Sequence, residues 1–230
     1  MTRLAHLLCR AGHRVVRADL RGFGEAGADV SGGTIHDHTR AIERGLQVDD
    51  LLAVLAVLEE DAPLVLFGGC GGAATVVRAA ERDPRVRAVI AYALPVVLTG
   101  GRAAQVTGRS GPSRGLALAQ LGLGETILRG SLGRIMPRGL APWLNVALIR
   151  ALRSLAGKRP VLLLFGDEDD VRGHPARYRL DRLPGVEIDE LPGMGHDFDD
   201  PADVERVAEV MQAWLRRQEL GRETAVASHA

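Results

Sequence analysis

The sequence predicts an α/β fold, a mostly parallel sheet with helices on both faces. Three observations predict it. Short continuous apolar runs at residues 63–67 and 160–165, and a third segment at 86–94 that is apolar from Ala88 on, have the composition of strands buried on both sides. Between them lie longer segments whose apolar residues recur at helical spacing. The two kinds of segment alternate along the chain, with no internal repeat.

The elements follow in order. Residues 4–10 read as a short helix closing near Gly12, and residues 13–19 as a strand. Gly22, Gly24, Gly27, Gly32 and Gly33 make residues 20–34 a loop. One helix spans residues 37–59, with Val48, Leu51, Leu52, Leu55 and Leu58 on its apolar face. After the strand at 63–67 and a glycine turn, a helix over 73–82 is stopped by Asp83-Pro84, and a strand follows at 86–94. Residues 99–113 are glycine-rich and loose. A helix over 142–156 carries Leu144, Leu148, Leu152 and Leu155 and ends at Gly157. Strands follow at 160–165 and 186–191. Asp200 and Pro201 open a last helix with Val204, Val207, Ala208, Met211, Trp214 and Leu215 inward. Residues 218–230 read as a disordered tail.

Composition narrows the function. The 230 residues carry 29 basic and 29 acidic side chains, 46% hydrophobic and 25% charged, the profile of an ordinary globular chain. That balance argues against a nucleic-acid binder. The longest apolar run, at 88–98, is too short to span a bilayer and contains Pro95, so no membrane partner is expected. The first residues lack a signal-peptide cleavage site, and Cys9 and Cys70 make no disulfide framework, so a cytoplasmic setting fits. Neutrality hides an asymmetry: residues 99–159 hold ten basic residues against Glu125 alone, a segment charge of +9 balanced by −9 elsewhere.

The most specific feature is the turn Gly68-Gly69-Cys70-Gly71-Gly72 between a buried strand and a helix. A nucleophile elbow has this form, because the turn is so sharp that only small residues fit two positions either side of the nucleophile. Cys70 then sits at a helix N-terminus, where peptide dipoles favour a thiolate. A phosphate-binding glycine turn and a buried structural cysteine fit the same turn. Downstream residues tip the weighting. The strand at 160–165 ends in an acidic turn with Asp167, Asp169 and Asp170, and His196 lies in a loop after the last strand. Asp169 follows Cys70 by 99 residues and His196 follows Asp169 by 27, in the order nucleophile, acid, base.

With Asp19-Leu20-Arg21-Gly22-Phe23-Gly24 after the first strand, these motifs resemble the α/β-hydrolase superfamily over most of the chain. The cysteine elbow is similar to those of exosortase-associated hydrolases and dienelactone hydrolases. The resemblance implies an α/β-hydrolase core over residues 1–98 and 160–217, and a helical, arginine-rich cap over 99–159. It implies Cys70 as nucleophile, His196 as base, and Asp169 orienting the imidazole, with Asp167 and Asp170 as rivals. The backbone N–H of Gly71 supplies an oxyanion donor, between elbow residues Gly68 and Gly72. The implied activity is hydrolysis of an ester, lactone or thioester through an acyl-cysteine, with acyltransferase or thioesterase action, or a catalytically impaired homologue with a binding role, as alternatives. No cofactor or metal is implied. The partner is a small-molecule acyl substrate, anionic or carrier-bound, since the +9 segment attracts anions.

The superfamily also places a strand between the two that correspond here to 13–19 and 63–67, ahead of the first helix. This sequence starts at that helix. If the chain truly begins at Met1, the expectation is a truncated fold in which those two strands pair directly or leave an empty slot, with weak folding and turnover; a start placed too late or a fragment are the competing explanations. Of the remaining residues, His36-Asp37-His38 has ligand-like spacing but no third ligand, and Asp37 reads as a helix cap. Cys9 reads as a core-facing residue of its helix, and Asp19 and Arg21 as stabilisers of their loop.

Overall fold

The computed structural model describes residues 1–24, 26–27, 35–58, 63–98, 144–169, 179–197, 200–218, 220 and 225–229. Six strands form one parallel sheet: β1 (Arg14–Ala18), β2 (Leu64–Gly69), β3 (Val86–Tyr92), β4 (Val161–Gly166), β5 (Val186–Leu191) and β6 (Ala225–His229). Their spatial order is β1-β6-β2-β3-β4-β5, every neighbouring pair parallel. The helices are α1 (Thr2–Arg10), α2 (Ile35–Glu43), α3 (Val48–Ala56), α4 (Gly71–Arg82), α5 (Val146–Leu155) and α6 (Pro201–Arg217), with a 3₁₀ turn at Leu180–Arg182.

The apolar runs are buried on both faces because successive side chains point to opposite sides. Leu64 and Leu66 of β2, with Leu163 and Phe165 of β4, join a core built with α3, α4 and α5. Val65 and Phe67, with Leu162 and Leu164, join a second core with α1 and α6. The six inner-face residues expected of the last helix are all buried, and the Asp200 side chain caps its start by accepting from the Ala202 N–H at 2.8 Å.

Three elements depart from expectation. The helix expected over 37–59 is two helices. Gly45 breaks it at φ +101, where a Cβ would strike the Arg78 guanidinium, and Gln47 turns back to donate to the Arg21 carbonyl at 2.7 Å. The second concerns α5: it lies inside the 99–159 range expected to form a cap, and it packs on α4 as part of the core. Asn145 is buried at its start. Its side chain accepts from the Leu148 N–H and donates to the Glu43 carbonyl at 2.7 Å, which ties α5 to α2. Residues 99–143 lie outside the described residues.

The third departure is the largest. Residues 225–229, expected to be disordered, form β6 in the middle of the sheet. Val226 pairs with Val15 on one side and Val65 on the other, and His229 with Ala18 and Gly68. β1 and β2 therefore neither pair directly nor leave a slot. The backbone of β6 satisfies the polar groups on both facing edges, and that requirement holds whatever the side chains. Among the described residues, no helix is long and apolar enough to cross a membrane.

Candidate active site

All three chemistry-bearing residues sit just past the carboxyl ends of strands, at one rim of the sheet. Cys70 lies between β2 and α4 with φ 50 and ψ −118, one of three non-glycine residues at positive φ among those described. That strain persists because the surroundings over-determine it. The Cys70 N–H donates to the Tyr92 carbonyl at 2.9 Å, and its carbonyl accepts from the Ala73 N–H at 3.0 Å. A Cβ on Gly68 would lie 2.4 Å from the Gly72 carbonyl oxygen, so strand and helix approach too closely for any side chain there. This is the steric demand read from the motif.

Asp169 follows β4 and His196 follows β5. The His196 Nδ1 and Asp169 Oδ2 are 2.9 Å apart, with 1% of the Asp169 side chain exposed and 19% of His196. The imidazole also hydrogen-bonds the Cys70 side chain. The pKa of His196 is pushed up to about 10, first by the bond to Asp169 and next by the bond to Cys70, against the opposing effect of burial. The structure thus brings Cys70, His196 and Asp169 together from three separate loops.

The histidine loop is fastened to the acid turn by main-chain bonds. The Asp167 and Glu168 N–H groups donate to the Leu191 and Met194 carbonyls at 3.2 and 3.0 Å. The Asp167 carboxylate accepts from the Gly193 N–H at 2.6 Å. Asp167 is thus a brace for the loop, neither a second orienter nor a purely solvated acid. A Cβ on Gly166 would lie 2.0 Å from the Met194 oxygen and 2.7 Å from that of Gly195. Gly166→Ala is expected to push the histidine loop off the acid turn. The cost is about 1–3 kcal/mol of stability and, with His196 displaced, about 100-fold in turnover. Thermal melts and initial rates on one preparation check both; an unchanged rate would show that His196 need not sit where it does.

The other residues singled out from sequence fall as follows. Gly71 is the first residue of α4, and its neighbour Gly72 is buried. Arg21 holds Asp50 with two hydrogen bonds at 2.7 and 2.5 Å, and a Cβ on Gly24 would collide with the Asp19 carboxylate, so both motif residues shape their loop. Cys9 is exposed, not core-facing, because Leu4, Ala5 and Leu8 supply the inner face of α1. α2 begins at Ile35, so Asp37 lies in its first turn, not at the cap. The His38 ring lies beside that of Phe23, tilted by 39° with centroids 5.9 Å apart. Among the described residues no three His, Cys, Asp or Glu side chains are grouped to hold a metal. Asp170 lies outside the described residues, as do six of the ten basic residues of the 99–159 segment: Arg102, Arg109, Arg114, Arg129, Arg134 and Arg138. Sequence reasoning missed Tyr92 and the brace role of Asp167. A tyrosine ending a strand that is aliphatic apart from Arg87 was the available signal for the first.

Fold and site together define an α/β protein with a cysteine, an aspartate and a histidine gathered at one rim of its sheet. Residues 1–210 match the model of the Alpha/beta hydrolase family, and the chain belongs to that family. Solved structures agree on the fold. Est1E from Butyrivibrio proteoclasticus, with ferulic acid bound, superimposes with a TM-score of 0.58 at 18% identity, covering 95% of this chain and 82% of that one. An alpha-beta serine hydrolase homologue from Coxiella burnetii gives 0.53 at 20%, covering 93% and 74%. A thermophilic esterase from Thermogutta terrifontis, malate bound, gives 0.51 at 20%, covering 86% and 78%. No curated protein matches the sequence.

Proposed function

We propose that the protein hydrolyses an ester, lactone or thioester through an acyl-Cys70 intermediate. One observation carries this reading: the His196 ring bonds the buried Asp169 on one side and Cys70 on the other, while Cys70 is held at a strained elbow. In this reading the proton shared by the pair resides on His196, and the Cys70 sulfur attacks the acyl carbon. A C–S bond forms and the carbonyl oxygen takes the negative charge, received by the Gly71 N–H, which in the first turn of α4 has no helical acceptor. Collapse breaks the bond to the leaving alkoxide or thiolate, which takes the proton from His196. Water then gives a proton to His196 and attacks the thioester; collapse frees the acid and restores the pair.

The substrate in this reading is a small acyl compound bearing negative charge, free or on a carrier, supported by the +9 charge of residues 99–159. A kcat/KM that falls with ionic strength is its signature. The test of the reaction is an aryl ester quenched in acid during turnover and weighed intact. One acyl mass per chain on the Cys70 peptide is expected, and none in Cys70→Ala. Limiting iodoacetamide is expected to label Cys70 ahead of Cys9, a stringent comparison since Cys9 is the more exposed thiol. Equal, slow labelling and an absent acyl adduct would overturn the reading.

A further inference from the structure

We infer that Tyr92 is a positioning residue for this site, joining the elbow of Cys70 to the loop of His196. The inference rests on the proposed reaction at Cys70. β3 lies between β2 and β4, so its last residue stands in the middle of the rim on which the three groups converge. Tyr92 pairs with Gly69 of β2 and with Leu164 of β4. Its main-chain oxygen accepts from the strained Cys70 N–H at 2.9 Å. Its hydroxyl donates to the carbonyl of Gly195, the residue before His196. One rigid residue, 1% exposed, therefore fixes the nucleophile through its backbone and the base through its side chain.

The chemistry of the hydroxyl suits the task. The Gly195 carbonyl can only accept, so the phenol must keep its proton. Burial first, then the charges of Asp169, Asp203 and Asp197, push its pKa up to about 12. The donor is thus retained across the pH range in which a thiol-imidazole pair works. Among the described residues, the other main-chain fastenings of the loop, at Leu191, Pro192, Gly193 and Met194, all precede Gly195. Without the hydroxyl, the last peptide before the imidazole loses its tether to the sheet.

Tyr92→Phe keeps the ring, its packing and the main-chain oxygen, and removes only this donor. The expected result is a kcat lower by about 10- to 100-fold with KM within about twofold, because His196 is misplaced while substrate contacts stay. Alkylation of Cys70 slows in parallel and that of Cys9 does not change. Amide exchange accelerates at residues 193–197 but not in β2 or β3. The melting transition stays cooperative. A variant with wild-type kcat and Cys70 alkylation overturns the assignment. So does one that no longer melts cooperatively, because the hydroxyl would then hold the fold and not the loop. The wild-type protein separates the two ideas: if its Cys70 reacts no faster than Cys9, the proposed reaction fails and this assignment falls with it. If Cys70 is selectively reactive and Tyr92→Phe matches it, only the assignment fails.

Discussion

Asp169→Asn is expected to lower kcat by about 10³- to 10⁴-fold at neutral pH, with little change in shape or packing. The carboxylate is buried and 2.9 Å from Nδ1 of His196, so it holds an N–H there and leaves Nε2 toward the sulfur. An amide of the same size can instead present its own N–H to Nδ1. That favours the tautomer with Nε2–H facing Cys70, unable to take a proton. The pH dependence moves as well. The His196 pKa of about 10 lies above the ordinary 6.5, so the folded state holds this proton more tightly than the unfolded state. Its contribution to stability is complete below 6.5 and is lost as pH rises through about 10. Asp169 is the first cause of the elevation, so Asp169→Asn is expected to lose less stability on the alkaline side, and to lose it at lower pH. Melts from pH 6 to 10 beside initial rates measure both. Asp167→Asn is the control: an amide oxygen still accepts from Gly193, and activity should largely survive. Equal losses in the two variants would show that the acidic turn acts as a whole and that Asp169 has no special place in it.

Much of this site could be read from the chain because steric and chemical demands select residue types. A Cβ at Gly68 would collide with the Gly72 carbonyl, so the elbow position two before Cys70 has to be glycine. The runs ending in Phe67 and Phe165 betray strands with two buried faces, since each must be apolar throughout. The final helix was legible from its periodicity, with Pro201 at the start. What escaped depended on pairings that no side chain announces. Gly45 looks like any tolerated glycine inside a helical pattern until Arg78 is seen to fill the space beside it. The brace made by Asp167 is of the same kind: the family spacing pointed to Asp169 for the imidazole, but the bond from the Gly193 N–H to Asp167 exists only in the folded turn. β6 is the extreme case. Ala-Val-Ala-Ser-His has one β-branched residue and none of the bulk of β2, so propensity reads it as tail. Its place in the sheet is set by main-chain hydrogen bonding on both sides, a property every sequence possesses.

That placement makes the most drastic prediction for the fold. Deleting every residue after Gln218 is expected to abolish the cooperative melting transition. β6 supplies backbone partners to Arg14–Ala18 along one edge and to residues 64–68 along the other. With neighbouring strands about 4.8 Å apart, its removal leaves roughly 10 Å between β1 and β2. Each buried N–H or C=O stranded there costs about 1–3 kcal/mol. A handful of them exceeds the roughly 5–15 kcal/mol by which a domain is stable. Closing the gap would require β1 to move inward by a whole strand spacing together with α1, which packs against both β1 and α6. A milder variant grades the effect. Ala227→Pro removes one ladder donor between Val16 and Leu66, at about 3 kcal/mol or more. For a chain of this size that is a fall in Tm of roughly 6–12 °C. Because β6 joins the sheet by backbone pairing, a synthetic peptide of residues 219–230 should restore part of the transition to the truncated protein. A truncated protein melting at the full-length Tm would mean that β1 and β2 pair with each other directly. The elbow strand would then owe nothing to the C-terminal segment.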